Sequence, residues 1–108
     1  MDLWSEIKKL EGKDFKTLLQ GKKFEVAEVR DSVVIIKPCV RNRIIKIPRE
    51  GIESAYQELT QKGKISRNQI MAEHAHWFPA HVAAILANLP GVTYTTKPII
   101  ILYYKSEK

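Results

Sequence analysis

The sequence predicts an α+β protein, in which an N-terminal helix and a small antiparallel β-meander precede a helix-rich part that ends in a hairpin. Residues 14–48 hold short apolar runs rich in Val, Ile and Phe, separated by brief turns, which is typical of neighbouring strands. Residues 49–89 hold apolar residues at i, i+3, i+4 and i+7, the spacing of helices that bury one face. Two further β-like runs, at 92–94 and 99–104, predict the closing hairpin.

The composition is that of one globular domain. The chain has 108 residues, 44% hydrophobic and 28% charged, which is enough to bury a single core. Its one cysteine, Cys39, excludes an internal disulfide and fits a reducing compartment, so we expect a cytoplasmic location. The N-terminus lacks the pattern of a signal peptide, and no apolar run approaches the roughly 18 residues of a membrane span. We therefore expect no membrane partner.

The first helix and the meander make up residues 1–48. Asp2 is expected to cap the helix and Gly12 to end it, with Trp4 as the anchor that docks so short a helix on the rest. The connections between the following strands are too short for the crossovers of a parallel sheet, which predicts antiparallel pairing. Four strands are expected, at 15–19, 24–29, 33–37 and 44–47.

The clearest helical stripe follows Pro48, which marks the boundary between two parts, residues 1–48 and 49–108. We expect the two parts to pack as one compact unit. Gly63 should end this helix, because glycine readily adopts the left-handed conformation that follows many helices. The stripe consists of Ile52, Ala55, Tyr56 and Leu59.

A capping box marks the start of the next helix, expected at about residues 67–74. The Ser66 hydroxyl can accept from the Gln69 backbone N–H, while the Gln69 side chain can accept from the Ser66 N–H. Ile65 and Ile70 occupy the flanking hydrophobic positions. The predicted helix is short and its start is well marked, as expected for a helix that braces the next helix against the core.

A last helix is predicted from Pro79, which is well placed at a first helical position because its missing N–H has no intrahelical partner there. Pro90 and Gly91 stop it, and a hairpin around residues 95–98 follows. The apolar stripe of this helix consists of Val82, Ile85, Leu86 and Leu89.

In its order of elements, the segment from about 49 to 104 resembles the winged helix-turn-helix superfamily. The resemblance implies that the hairpin is the wing and that the short link at 64–65 pairs with it. It also implies duplex DNA as the partner, because proteins of this superfamily usually place the last helix in the major groove.

Charge favours the same partner. The chain has 18 Lys and Arg against 12 Asp and Glu, a net charge of +6, which suits a polyanion. We therefore predict non-catalytic binding of duplex DNA, mainly through phosphates, by a transcription regulator or an accessory subunit of a DNA-processing system. The expected nucleic-acid-binding residues are Lys62, Lys64, Arg67, Asn68, His76, His81, Asn88 and Lys97.

The last helix offers little for reading bases. Its expected outward face holds Ala80, His81, Ala84, Ala87 and Asn88. His81 and Asn88 could contact bases, but no Arg or Lys is present there to read guanine. Small side chains also allow close approach of another protein, so the alternative function is a protein-interaction module or homodimer that docks through this helix.

We find no catalytic motif, and we predict a protein that is not an enzyme and needs no cofactor, metal or small-molecule substrate. The three histidines and the cysteine match no strong zinc-ligand spacing. A metal-dependent nuclease is a further alternative, since a sheet could gather scattered carboxylates beside Lys37, but their spacing is not diagnostic. These carboxylates are Asp14, Glu25, Glu28 and Asp31.

Overall fold

The computed structural model describes residues 2–18, 20–38, 43–75 and 78–103. These residues form helices and two antiparallel sheets, which confirms the predicted α+β class and its four-stranded meander. In chain order the elements are α1 (Leu3–Lys8), β1 (Asp14–Lys16), β2 (Lys23–Val29), β3 (Val33–Pro38), β4 (Ile45–Pro48), α2 (Arg49–Lys62), β5 (Lys64–Ser66), α3 (Arg67–Glu73), α4 (Pro79–Ala87), β6 (Val92–Thr96) and β7 (Ile99–Tyr103).

The four-stranded sheet has the order β1-β2-β3-β4, and one of its two faces is covered by the core. Strand β1 is shorter than predicted and ends at Lys16, because the chain turns there. The Thr17 N–H donates to the Lys22 carbonyl at 3.0 Å, and the Gly21 N–H donates to the Thr17 carbonyl at 3.0 Å. The fully buried residues of the covered face include Phe24, Val26, Val34 and Ile36.

The three-stranded sheet has the order β5-β7-β6. The short link before α3 pairs with the hairpin as expected, with Ile65 opposite Ile101. The hairpin turn is tighter than predicted, because Thr96 pairs with Ile99 and only residues 97–98 remain in the turn. This sheet therefore brings the start of α3 next to the hairpin.

Helices α2 and α3 follow the sequence closely. Helix α2 ends where Gly63 adopts a positive φ of 83°. Its buried residues are the predicted Ile52, Ala55 and Leu59. Both hydrogen bonds of the predicted capping box at Ser66 and Gln69 are present.

The N-terminal helix docks through Trp4, as predicted. The Trp4 Nε1–H donates to the Arg30 carbonyl at 2.8 Å, and the Arg49 guanidinium lies 4.6 Å from the Trp4 ring centroid. Trp4 and Ile7 belong to the same buried cluster as Ile52 of α2. The core is thus continuous across the boundary at Pro48.

Helix α4 is covered on more than its predicted stripe. It contacts α3 and both hairpin strands, and the His81 ring lies 5.0 Å from the ring of Phe24 in β2. Ala83 and Ala84 have relative exposures of 1% and 0%. The expectation that Ala84 faces outward is therefore wrong, because the N-terminal lobe adds a second packing surface for this helix.

The element order after Pro48 is helix, short strand, two helices and hairpin, which is the order that the resemblance implies. Membership in the winged helix-turn-helix superfamily stays a prediction. None of the helices in the described ranges is long and apolar enough to cross a membrane.

Candidate nucleic-acid interface

The start of α3 is held in place from two directions. Ser66 pairs with Ile100 in the sheet and also caps α3, since its Oγ accepts from the Gln69 N–H at 3.1 Å. The Gln69 Oε1 accepts from the Ser66 N–H at 2.9 Å. Arg67 and Asn68, the first two residues of α3, are therefore fixed beside the hairpin.

A shallow depression separates α3 from the hairpin turn. Arg67 and Asn68 line one side of it, and Thr96 and Pro98 line the other. Lys97 lies between these last two residues and is exposed. Three of the predicted site residues are thus brought together around one groove.

Arg67 also borders a second depression, on the side of the N-terminal lobe. Thr17, Leu18 and Gln20 line it from the β1–β2 turn, and Ala80 and Ala83 line it from α4. Arg67 therefore stands between two turns that come from opposite ends of the chain.

The surroundings of these residues lack negative charge. Residues 15–24, 59–72 and 74–106 contain no Asp or Glu. Among the described residues, neither Arg67 nor Lys97 forms a salt bridge, and the same holds for Lys64, which is exposed on β5. None of the residues that line the groove between α3 and the hairpin turn is acidic, so no carboxylate is placed there to neutralise these cations.

Lys62 differs from these three, because its Nζ lies 3.5 Å from Glu58 Oε2 in an i, i+4 pair. Its side chain is still largely exposed, so the pair contributes little to stability. Of the predicted cations, Lys62 is the one whose charge is already partly balanced.

A partly buried polar network joins α3 to α2. The Ser54 Oγ and His74 Nδ1 are 2.7 Å apart, and the His74 Nε2 and Glu58 Oε1 are 2.9 Å apart. The Gln69 Nε2 also donates to Glu58 Oε2, at 3.3 Å. The hydrogen bond from His74 holds the pKa of Glu58 below its ordinary value of 4.5. The network fixes both ends of α3 against α2.

Gly51 makes this contact possible. A Cβ at position 51 would lie 2.8 Å from the His74 carbonyl oxygen, which is closer than real Cβ contacts. Ser54, His74 and Glu58 are hydrogen-bonded in the order serine, histidine, carboxylate, which is also the order in hydrolytic triads. Here the side chains join two helices, and we assign them a structural role. Sequence reasoning considered His74 only among the possible zinc ligands and missed this role.

The remaining predicted residues lie apart from the groove. His81 packs between Phe24 and Phe78, with ring centroids 5.0 and 6.1 Å away, and burial lowers its pKa from the ordinary value of 6.5. The Asn88 Nδ2 donates to the Ala84 carbonyl at 2.8 Å and so caps α4. The prediction for His76 lies outside the described residues.

In the described ranges, no group of three His, Cys, Asp or Glu residues is placed so that it could hold a metal ion. Asp14 lies opposite Glu25, and Glu25 lies opposite Lys37, on the sheet. Glu28 instead pairs with Arg30 at 3.0 Å. Cys39 lies outside the described residues.

Sequence reasoning also missed the contribution of the β1–β2 turn to this face. Its packing beside Arg67 is a tertiary contact between segments about 50 residues apart in the chain. The absence of acidic residues from both segments was the available signal.

Comparisons of the chain with protein-family models, with curated proteins and with solved structures gave no match. The geometry of the chain itself therefore carries the functional conclusion.

Proposed function

We propose that this protein binds duplex DNA without catalysis, through the surface formed by Lys64, Arg67, Asn68 and Lys97, which we call the α3–hairpin surface. One observation carries this function: Arg67 and Asn68 share a groove with the turn that holds Lys97, and none of the residues lining that groove is acidic. Exposed cations without acidic neighbours suit the phosphates of a nucleic-acid backbone.

The proposed contacts position the protein and carry little sequence information. Asn68 is the one exposed amide in the groove and could bond to a phosphate or a base edge. His81 and Asn88 are left out of the proposed site, because the first packs between aromatic rings and the second caps its own helix. Binding should therefore be strongly salt-dependent and tolerant of sequence.

The alternative function, docking of a protein partner or a second copy on α4, needs an open face on that helix. Six of its nine residues are buried. Ala80, His81 and Ala87, which were expected to face outward, are only partly exposed. The burial of α4 favours the α3–hairpin surface as the binding site.

The salt dependence of binding tests the proposed function. Fluorescence anisotropy with a labelled duplex of about 24 base pairs should show the logarithm of affinity falling with the logarithm of salt concentration. Three phosphate contacts, one for each cation of the α3–hairpin surface, would give a slope near −2.7. A slope near zero would contradict nucleic-acid binding, and tighter binding to an RNA duplex of the same sequence would contradict DNA as the partner.

Charge reversal locates the surface. Arg67→Glu with Lys97→Glu should weaken binding by more than about tenfold, since each change replaces a phosphate contact with a repulsion. The matched control, Lys8→Glu with Lys46→Glu, makes the same change in net charge at exposed positions of α1 and β4 that line neither depression beside Arg67. Equal losses in the two double variants would contradict the proposed location.

A further inference from the structure

The β1–β2 turn, residues 17–22, and the strand ends beside it carry a second group of cations. Lys16, Lys22 and Lys23 are all exposed, and none of them forms a salt bridge with another described residue. No acidic residue occurs between positions 15 and 24. The N-terminal lobe thus presents its own group of exposed lysines, flanked on the two strands by Asp14 and Glu25.

This turn is held in one conformation. Two backbone hydrogen bonds of 3.0 Å close it, from the Thr17 N–H to the Lys22 carbonyl and from the Gly21 N–H to the Thr17 carbonyl. The Lys22 N–H donates to the Thr17 Oγ1 at 3.0 Å as well. Lys22 is therefore joined to Thr17 by hydrogen bonds in both directions.

Strand alternation places the three lysines on two sides of the turn. Phe24 is fully buried, so Lys23 projects from the opposite face, together with its cross-strand partner Lys16. Lys22 continues on the side of Thr17, which lines the depression beside Arg67. Lys22 is thus hydrogen-bonded to a residue that lines the depression beside Arg67, whereas Lys16 and Lys23 lie on the opposite face of the strands.

Two groups of cations are therefore present: Lys16, Lys22 and Lys23 at and beside the β1–β2 turn, and Lys64, Arg67 and Lys97 on the α3–hairpin surface. These two patches adjoin at Arg67, which borders depressions shared with both turns.

We propose that the β1–β2 turn is a second arm that contacts the same DNA duplex as the α3–hairpin surface, on the other side of Arg67. This inference rests on the proposed function and gives the N-terminal lobe a part in it. The duplex is the occupant that the charge favours, because its phosphates are spaced regularly enough to meet both patches at once. Helix α4 would lie beneath the duplex and outside its grooves.

Substitution of the turn lysines tests the second arm. In Lys22→Gln with Lys23→Gln, the salt slope of binding to the about 24-base-pair duplex should become shallower by about 0.9 to 1.8, the values for one and for two lost phosphate contacts. The matched control, Lys8→Gln with Lys46→Gln, should keep the wild-type slope. Thermal unfolding followed by circular dichroism should show both variants folded, since all four side chains are exposed.

A measurement on the unaltered protein gives an independent test. Acetylation of lysines, read by mass spectrometry, should slow at Lys22 and Lys23 when the duplex is added, while Lys8 and Lys46 react as before. A wild-type slope near zero would overturn the proposed function and the second arm together. A steep wild-type slope, with the turn variant matching its control and with Lys22 unprotected, would overturn the second arm alone.

Discussion

Helices α3 and α4 follow each other in the chain but have opposite surroundings. Helix α3 buries only Ile70 and exposes Asn68, Met71 and Ala72, with Met71 at 42% relative exposure. Helix α4 buries six of its nine residues. Helix α4, which has the chain position of the DNA-reading helix in the resemblance, thus has less free surface than α3.

The cause of this difference lies in the N-terminal lobe. Phe24 of β2 and the β1–β2 turn pack against α4, and the small side chains Ala83 and Ala84 allow the close approach. An identical order of helices can therefore present different helices to a partner, depending on what an attached sheet covers. In this protein, the four-stranded sheet that packs on α4 also carries exposed lysines of its own, at the β1–β2 turn.

The largest expected effect comes from placing a charge in the buried helix. Ala84→Arg should destabilise the protein by about 3 to 5 kcal/mol, because the guanidinium would be buried without a partner. A domain is stable by only about 5 to 15 kcal/mol. This variant should therefore unfold at a much lower urea concentration than the wild type, which circular dichroism can measure.

The control is Ala72→Arg on α3, where the side chain is exposed. We expect its stability to stay within about 0.5 kcal/mol of the wild type, and its affinity for duplex DNA to rise if the duplex reaches that side of α3. A folded Ala84→Arg variant with stronger DNA binding would reverse the roles assigned to the two helices.

The close approach of Gly51 in α2 to the His74 carbonyl, which holds α3 on α2, should be the next most sensitive to substitution. Gly51→Ala adds a Cβ at 2.8 Å from the His74 carbonyl oxygen. Overpacking of this kind costs about 1 to 3 kcal/mol, which exceeds the roughly 1 kcal/mol that alanine gains over glycine in a helix. Urea denaturation measures the difference.

Gln61→Ala, an exposed change on the same helix, serves as the control and should shift the free energy of unfolding by less than about 0.5 kcal/mol. If Gly51→Ala were the more stable protein, α3 would not be held against α2 by this close approach.

Burial of His81 should appear as a dependence of stability on pH. Because burial lowers its pKa below 6.5, the unfolded chain binds the proton more readily, and stability is lost as the pH falls from 6.5 through the folded-state pKa. His81→Phe removes this group while keeping a ring between Phe24 and Phe78. The Tm of the wild type should therefore fall more than that of the variant between about pH 7.5 and 5.5.

The other two histidines are common to both proteins, so the difference between the two pH profiles isolates His81. A wild type that gained stability relative to His81→Phe on acidification would mean that the ring is solvated and protonated, as a phosphate-contacting histidine on an open helix would be.

Much of the fold could be predicted because its signals are local. The capping box at Ser66, the glycine at the end of α2 and the apolar stripe of α4 depend on neighbouring residues and are confirmed. Helix α1 departs from its prediction, because Asp2 makes no side-chain capping hydrogen bond and the helix ends at Lys8, before Gly12. The burial of Ala84 and the position of the β1–β2 turn depend on contacts between distant segments. No periodicity in α4 distinguishes an alanine that faces water from one that a distant segment of the chain covers.

The smallest expected effects separate two asparagines that were both predicted to contact DNA. Asn88→Ala removes a hydrogen bond of 2.8 Å to the Ala84 carbonyl and should cost about 0.5 kcal/mol of stability without changing DNA affinity. Asn68→Ala should leave stability nearly unchanged, since this side chain is exposed, and should weaken binding to the duplex by a few-fold. Anisotropy and urea denaturation on the two variants measure both quantities. The opposite pattern, with affinity lost at Asn88 and kept at Asn68, would return the contact to α4, whereas the expected pattern assigns it to the start of α3, where the chain leaves an amide free to bind.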